Sequence, residues 1–178
     1  MENKKRQTIA CLFHYENPML DRFLLRLSLG YPDQNEERTI LRRFRTADPL
    51  SGLQSVLSAE QVVALGEMCR EVYVHQALED YILALVAATR QSEALSLGAS
   101  PRGSLALYHT SQALAALRGR SYVLPDDVQR LAEPVLAHRL ILSAKVRLRG
   151  GNVREILKQI VSAVPVPVEE NWSQGEAA

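Results

Sequence analysis

The chain has 178 residues, 47% of them apolar but only 6% aromatic, and a formal net charge of +1. That length can bury a good core in one domain, or carry one domain plus a fragment, and the aliphatic bias suits a helical bundle. The near-neutral balance gives no global field for nucleic acid and no apolar run reaches membrane-spanning length; Cys11 and Cys69 match no metal or redox spacing, which predicts free thiols in a reducing cytoplasm.

Met1 to Arg6 is basic, but only Ile9 to Phe13 follow as an apolar stretch, too short for a signal peptide. Thr8 to Phe13 reads as a short buried strand, and Asn17-Pro18 as a turn. Asp21-Arg22 reads as a surface pair, which by itself contributes little. Phe23, Leu25, Leu27 and Leu29 alternate with Leu24, Arg26 and Ser28, a period of two that predicts a strand up to Gly30. Asp33 and Glu36 form a capping box for a helix whose apolar side is Ile40, Leu41 and Phe44. Thr46 to Leu57, with Asp48-Pro49 and Ser51-Gly52, reads as a linker. From Ser58 on, everything looks helical. Ser58 and Gln61 make a second capping box, followed by a stripe of Val62, Leu65, Cys69 and Val72, then one of Leu78, Ile82, Leu85, Val86 and Thr89.

Gly98 ends that segment, and Ser100-Pro101-Arg102 is a helix start. Ser100 is a good N-cap, its hydroxyl accepting from a backbone N–H of the first turn, and Pro101 suits the first helical position. Arg102 then occupies the second position, where the macrodipole disfavours a cation. Either the arginine is simply solvated, or an anion sits there, held by first-turn N–H groups and the guanidinium together. Leu107, Leu114 and Leu117, with Ala113 and Ala116 beside them, predict the buried side of this helix, and Arg118 and Arg120 put cations at its end. Pro125-Asp126-Asp127 starts another helix, expected to be interrupted near Pro134. Val153, Ile156, Leu157, Ile160, Val161 and Val164 form a clean helical stripe. Arg139, Lys145, Arg147, Arg149, Arg154 and Lys158 make a locally basic stretch, read as a solvated face or as a contact for phosphates or a partner's acidic face. His138 reads as structural, and Tyr73 and Tyr122 as core or boundary aromatics.

The runs GASPRGSLAL (98–107), ALRGRSYVLPDDV (116–128) and PVLAHRLIL (134–142) resemble the C-terminal lid of MoxR-type AAA+ ATPases and of the magnesium-chelatase ATPase subunit. Upstream, MLDRFLLRLSLGYPDQNEERTIL (19–41) resembles the end of the ATPase core in that family. The resemblance, which covers Asn17 to Val164, implies a mainly α fold: a helical lid bundle over 47–164 and a small α/β remnant of the core over 1–46; the two prolines and many polar residues of 165–178 read as a loose tail. It implies that Arg102, presented by Ser100 and Pro101, is the sensor 2 arginine that reaches the nucleotide from the lid. It implies that Arg22 is an arginine finger pointing across a subunit boundary. Asn17 matches the sensor 1 asparagine, although the loop that the family carries before Leu-Asp-Arg-Phe is missing here, so the turn reading stands beside it. ATP and magnesium are the family's cofactors. The implied partners are an AAA+ core or sister subunits in a ring and a von Willebrand factor A-type protein, in a chaperone-like assembly.

No GxxxxGK[ST] phosphate loop and no strand ending in Asp-Glu occurs in the chain. The groups for the β-phosphate and magnesium are therefore missing. The expectation is a lid fragment that serves ATP binding and hydrolysis only when a core completes it. By itself it should have no turnover, no metal site and no bound cofactor. The competing reading is a non-enzymatic helical module that binds a partner protein. DNA is disfavoured by the near-neutral charge and the lack of a recognition helix rich in Arg, Asn and Gln.

Overall fold

Capping chemistry sets most of the helix starts. In the computed structural model, which describes residues 20–45 and 48–167, α1 (Gln34–Phe44) begins at Asp33 with the reciprocal bonds of a capping box to Glu36. A short 3-10 turn spans Pro49–Gly52. Next, α2 (Ala59–Arg70) has the Ser58–Gln61 pair, with Ser58 N–H donating to Gln61 Oε1 at 2.8 Å and Gln61 N–H to Ser58 Oγ at 3.3 Å. The chain continues through α3 (Gln76–Gln91), β1 (Leu95–Leu97), α4 (Pro101–Leu117) and α5 (Pro125–Leu136). A 3-10 turn (Ala137–Arg139), β2 (Ile141–Leu142), α6 (Ala144–Leu148) and α7 (Val153–Ala163) complete it.

By contacts the chain divides into two units. One unit is Leu27–Glu67; the other takes in the residues up to Arg26 and those from Met68 on. In the smaller unit no residue of α1 is buried, and Ile40, Leu41 and Phe44 stay exposed.

The larger unit holds the core. Leu78, Ile82, Leu85, Val86 and Thr89 of α3 are buried as their spacing predicts, joined by Tyr81. The amphipathic helix α7 packs against α3 and α5, burying Ile156 and Leu157, with Val153, Ile160, Val161 and Val164 half-buried beside them. Across α4 the inward side differs from the expected one. Leu107 is buried, but Leu117 is exposed and the rest of the face is Gly103, Ala106, Thr110, Ser111, Gln112 and Ala115. Gly103 and the other small side chains of this face let α4 and α5 approach closely. A Cβ on Gly103 would lie 3.2 Å from Leu136 Cδ2. Gln112 satisfies the corner after α2, its amide donating to the carbonyls of Arg70 at 3.1 Å and Val72 at 2.8 Å. Val72 is buried there, beyond the helix it was expected to extend.

Two further expectations are corrected. Phe23 to Gly30 is not a strand: no neighbouring strand pairs with it among the described residues, and the Arg26 N–H instead donates to the Pro134 carbonyl at 2.8 Å. Pro134 does not interrupt its helix. Only two residues of α5 follow it, so little i→i−4 bonding is forfeited, and the turn then tightens to 3-10. The small sheet is one the periodicity did not reveal. β1 and β2 pair antiparallel, Leu95 opposite Leu142, and Ser96 Oγ donates to the Leu142 carbonyl at 3.2 Å. A parallel bridge joins Tyr73 to Tyr122, both of which are more exposed than core aromatics. The proposed strand at Thr8–Phe13, Asn17, and the tail from residue 168 lie outside the described residues.

Candidate functional site

Gly98 begins the site by being small. A Cβ there would sit 2.6 Å from Arg90 Cα, 2.7 Å from Arg90 N and 2.8 Å from the Thr89 carbonyl carbon, so the loop lies directly on the backbone of α3. Two bonds hold it down. Ala99 N–H donates to Thr89 Oγ1 at 3.0 Å, and Arg90 Nε donates to the Ala99 carbonyl at 2.7 Å. The start of α4 is thereby fixed in place.

Ser100 is the N-cap and Pro101 the first helical residue. Ser100 Oγ accepts from the Arg102 N–H at 3.3 Å, and the Gly103 N–H donates to the Ser100 carbonyl at 2.8 Å. Pro101 has no N–H to offer. Two first-turn amides, those of Arg102 and Gly103, are thus engaged within the helix. The Arg102 side chain is exposed.

Arg102 lines a groove of about 470 Å³ together with Leu105, Ala106 and His109 of α4. Asp21, Arg22, Leu24 and Arg139 line the same groove. Arg22 and Arg102, some eighty positions apart in sequence, therefore face one space. Three guanidinium groups meet one carboxylate there, a net cationic surface.

The segment carrying Arg22 has no regular structure of its own to hold it. Arg139 does that work. Its side chain is 2% exposed, contrary to the solvated basic face expected of this stretch. It donates from Nη1 to the Asp21 carbonyl and, at 2.8 Å, to Asp21 Oδ1. From Nη2 it donates to the carbonyls of Phe23 at 2.7 Å and Leu24 at 3.2 Å, and from Nε to Val135 at 2.8 Å. On its other side the Asp21 carboxylate accepts from Ser100 Oγ, 3.0 and 3.2 Å from its two oxygens. His138 is buried, and its Nε2–H donates to the Phe23 carbonyl at 3.1 Å. Burial, above all, lowers its pKa, and the nearby Arg139 and Arg26 cations push the same way. It is a neutral structural histidine, as expected.

Sequence reasoning missed Asp21 as the hub and Arg139 as the clamp. The signal was present in their adjacency to Arg22 and His138, but their distance along the chain hid the pairing. It also missed Asp127. That carboxylate is fully buried and binds Arg118 Nη1 at 2.7 Å and Arg120 Nη2 at 2.8 Å, while accepting the Leu124 N–H at 3.0 Å.

The geometry agrees with what the chain is similar to. Residues 87–160 match the AAA lid domain family. The chain is 40% identical over 152 residues to the uncharacterized protein YeaC of Bacillus subtilis, covering 85% of this chain and 48% of YeaC. It is 35% identical to the chaperone MoxR1 of Mycobacterium tuberculosis, covering 83% and 41%, and 30% identical to protein MoxR of Paracoccus denitrificans, covering 83% and 49%. A crystal structure of an ATPase candidate from Cytophaga hutchinsonii superposes with a TM-score of 0.77 at 30% identity, covering 85% of this chain and 49% of that one. The chain belongs to the MoxR-type AAA+ ATPases, as their C-terminal region. Its mainly α bundle is the lid of that family. This MoxR-type chain spans about half the length of the curated relatives it matches.

Proposed function

We propose that this chain is the part of a MoxR-type ATPase that grips nucleotide phosphates from outside the phosphate loop, with Arg22 as arginine finger and Arg102 as sensor 2. One observation carries the reading: both arginines line a single groove. A polyphosphate lying there meets two delocalised cations from different elements, the arrangement that neutralises charge developing on a transferred phosphoryl group. The donor set fits the phosphate end of a nucleotide, because Asp21, the groove carboxylate among the described residues, is already paired with Arg139. ATP, when bound, supplies the phosphoryl group; the chain's own part is to hold and neutralise its oxygens. If Arg22 reaches a neighbour's nucleotide, their shared groove sends Arg102 to that same nucleotide.

That a completing core supplies the magnesium ligands rests on the family resemblance; among the described residues no group of three His, Cys, Asp or Glu that could hold a metal ion occurs. The reading includes a ring of sister subunits, the usual assembly of AAA+ proteins. A von Willebrand factor A-type partner and a chaperone-like role rest on the family resemblance, and a cytoplasmic setting on the cysteine usage. Among the described residues no helix is long and apolar enough to cross a membrane.

The test joins this chain to the phosphate-loop core of a relative and compares wild type with Arg22→Ala. Turnover should fall about 10³-fold or more, the scale of a lost arginine finger, with nucleotide affinity nearly unchanged. Equal loss of binding and turnover would count against a transition-state role.

A further inference from the structure

Arg22 and Arg102 are carried by elements that share one hub, and the hub is a carboxylate rather than a piece of backbone. Asp21 immediately precedes Arg22 and is hydrogen-bonded by Ser100, the N-cap two residues before Arg102. Arg139, almost wholly buried, closes the other side of the same carboxylate. We propose that Asp21 is a positioning residue: held between Ser100 Oγ and the Arg139 guanidinium, it locks the Arg22 segment to the start of α4 and so sets Arg22 and Arg102 at a fixed spacing. The proposal rests on the reading that the groove takes phosphates.

Two features make the arrangement a lock rather than a loose surface pair. Arg139 spends its donors on carbonyls of the Arg22 segment as well as on the carboxylate, so it defines the path of residues 21–24 and not only one contact. The Ser100 hydroxyl does two jobs at once, accepting from the Arg102 amide while donating to Asp21. The cap that orients Arg102 and the tie that orients Arg22 are thus one atom. A groove held this way is preorganised, and an anion entering it does not have to order two independent long side-chain carriers. The carboxylate also lies beside the cations without cancelling them, because Arg139 matches its charge from below.

The experiment uses the whole 178-residue chain and inorganic triphosphate as probe. The Nε–Hε resonances of Arg22 and Arg102 are followed by NMR during titration. Variants are Ser100→Gly, which leaves helix capping nearly intact, Ser100→Thr, which keeps the hydroxyl, and Asp21→Asn. In wild type and Ser100→Thr both arginines should follow one binding curve. In Ser100→Gly and Asp21→Asn the two curves should separate, with affinity at Arg22 weakened about fivefold or more through lost preorganisation. The Arg26 amide, bonded to Pro134, should exchange about tenfold faster in Asp21→Asn while amides of α3 keep their protection. One shared curve with wild-type affinity in both variants would overturn the proposal. If neither arginine of the wild type responds to triphosphate, the phosphate reading fails, and positioning is judged by exchange alone: an unchanged Arg26 amide in Asp21→Asn overturns it. Should Asp21→Asn not fold, Ser100→Gly decides.

Discussion

Gly98→Ala tests the placement of the whole site, because the start of α4 is seated on α3 through that residue. The added methyl would lie 2.6 to 2.8 Å from three backbone atoms of Arg90 and Thr89. These belong to a helix and cannot rotate away as a side-chain end could. Overpacking of this kind costs about 1–3 kcal/mol. If the loop lifts to make room, the Ala99–Thr89 and Arg90–Ala99 hydrogen bonds stretch, at about 1 kcal/mol each. Against this, alanine restricts the unfolded chain and returns about 0.4–1 kcal/mol. The balance is a loss of about 2–4 kcal/mol, or a melting temperature lower by roughly 10–25 °C for a unit of this size. Gly103→Ala is the control. Its Cβ meets only side-chain atoms, at 3.1 Å from Ala99 Cβ and 3.2 Å from Leu136 Cδ2, and helix propensity favours alanine by about 1 kcal/mol. Thermal unfolding followed by circular dichroism compares the two. A Gly98→Ala chain that melts within a degree or two of wild type would show that the loop is not seated as described.

Asp127→Ala should cost about 2–3 kcal/mol, less than a fully buried pair, because Arg118 and Arg120 keep partial access to water; a urea-melt loss below about 1 kcal/mol would contradict the burial argument. For His138 the folded pKa lies below the unfolded value of 6.5, so the unfolded chain binds the extra proton first. Stability is therefore present above pH 6.5 and lost as pH falls below it towards the folded pKa. His138→Gln should flatten that part of a melting-temperature profile, and an unaltered profile would assign the acid loss to other groups. Arg102→Ala should leave the lid folded, or stabilise it by about 0.3–1 kcal/mol through relief of the macrodipole, while lowering turnover once a core is joined. Unfolding of the chain would make Arg102 structural. Arg102→Lys should restore turnover only in part, lacking a planar fork.

Local chemistry was legible along the chain. The capping boxes at Asp33 and Ser58, the Ser100-Pro101 helix start and the stripe of α7 all rest on residues within a few positions of each other, and the periodic apolar spacing of α3 needs no partner to be seen. The separated lid motifs carried the family. What the sequence alone could not supply were pairings across long stretches of chain. Phe23 to Gly30 has the alternation of a strand, but a strand requires a neighbour, and among the described residues the backbone there bonds to Pro134 instead. The inward face of α4 was read from its leucines, whereas close packing on α5 selected glycine, alanine, serine and threonine. Arg139 sits in a basic stretch and looks solvated by composition. It is buried because the Asp21 carboxylate and the carbonyls of Asp21, Phe23 and Leu24, well over a hundred residues earlier, satisfy its donors. Sequence determined where helices begin and which residues carry charge; tertiary structure decided which charges are withdrawn from water, because a guanidinium can be buried only where distant acceptors converge on it.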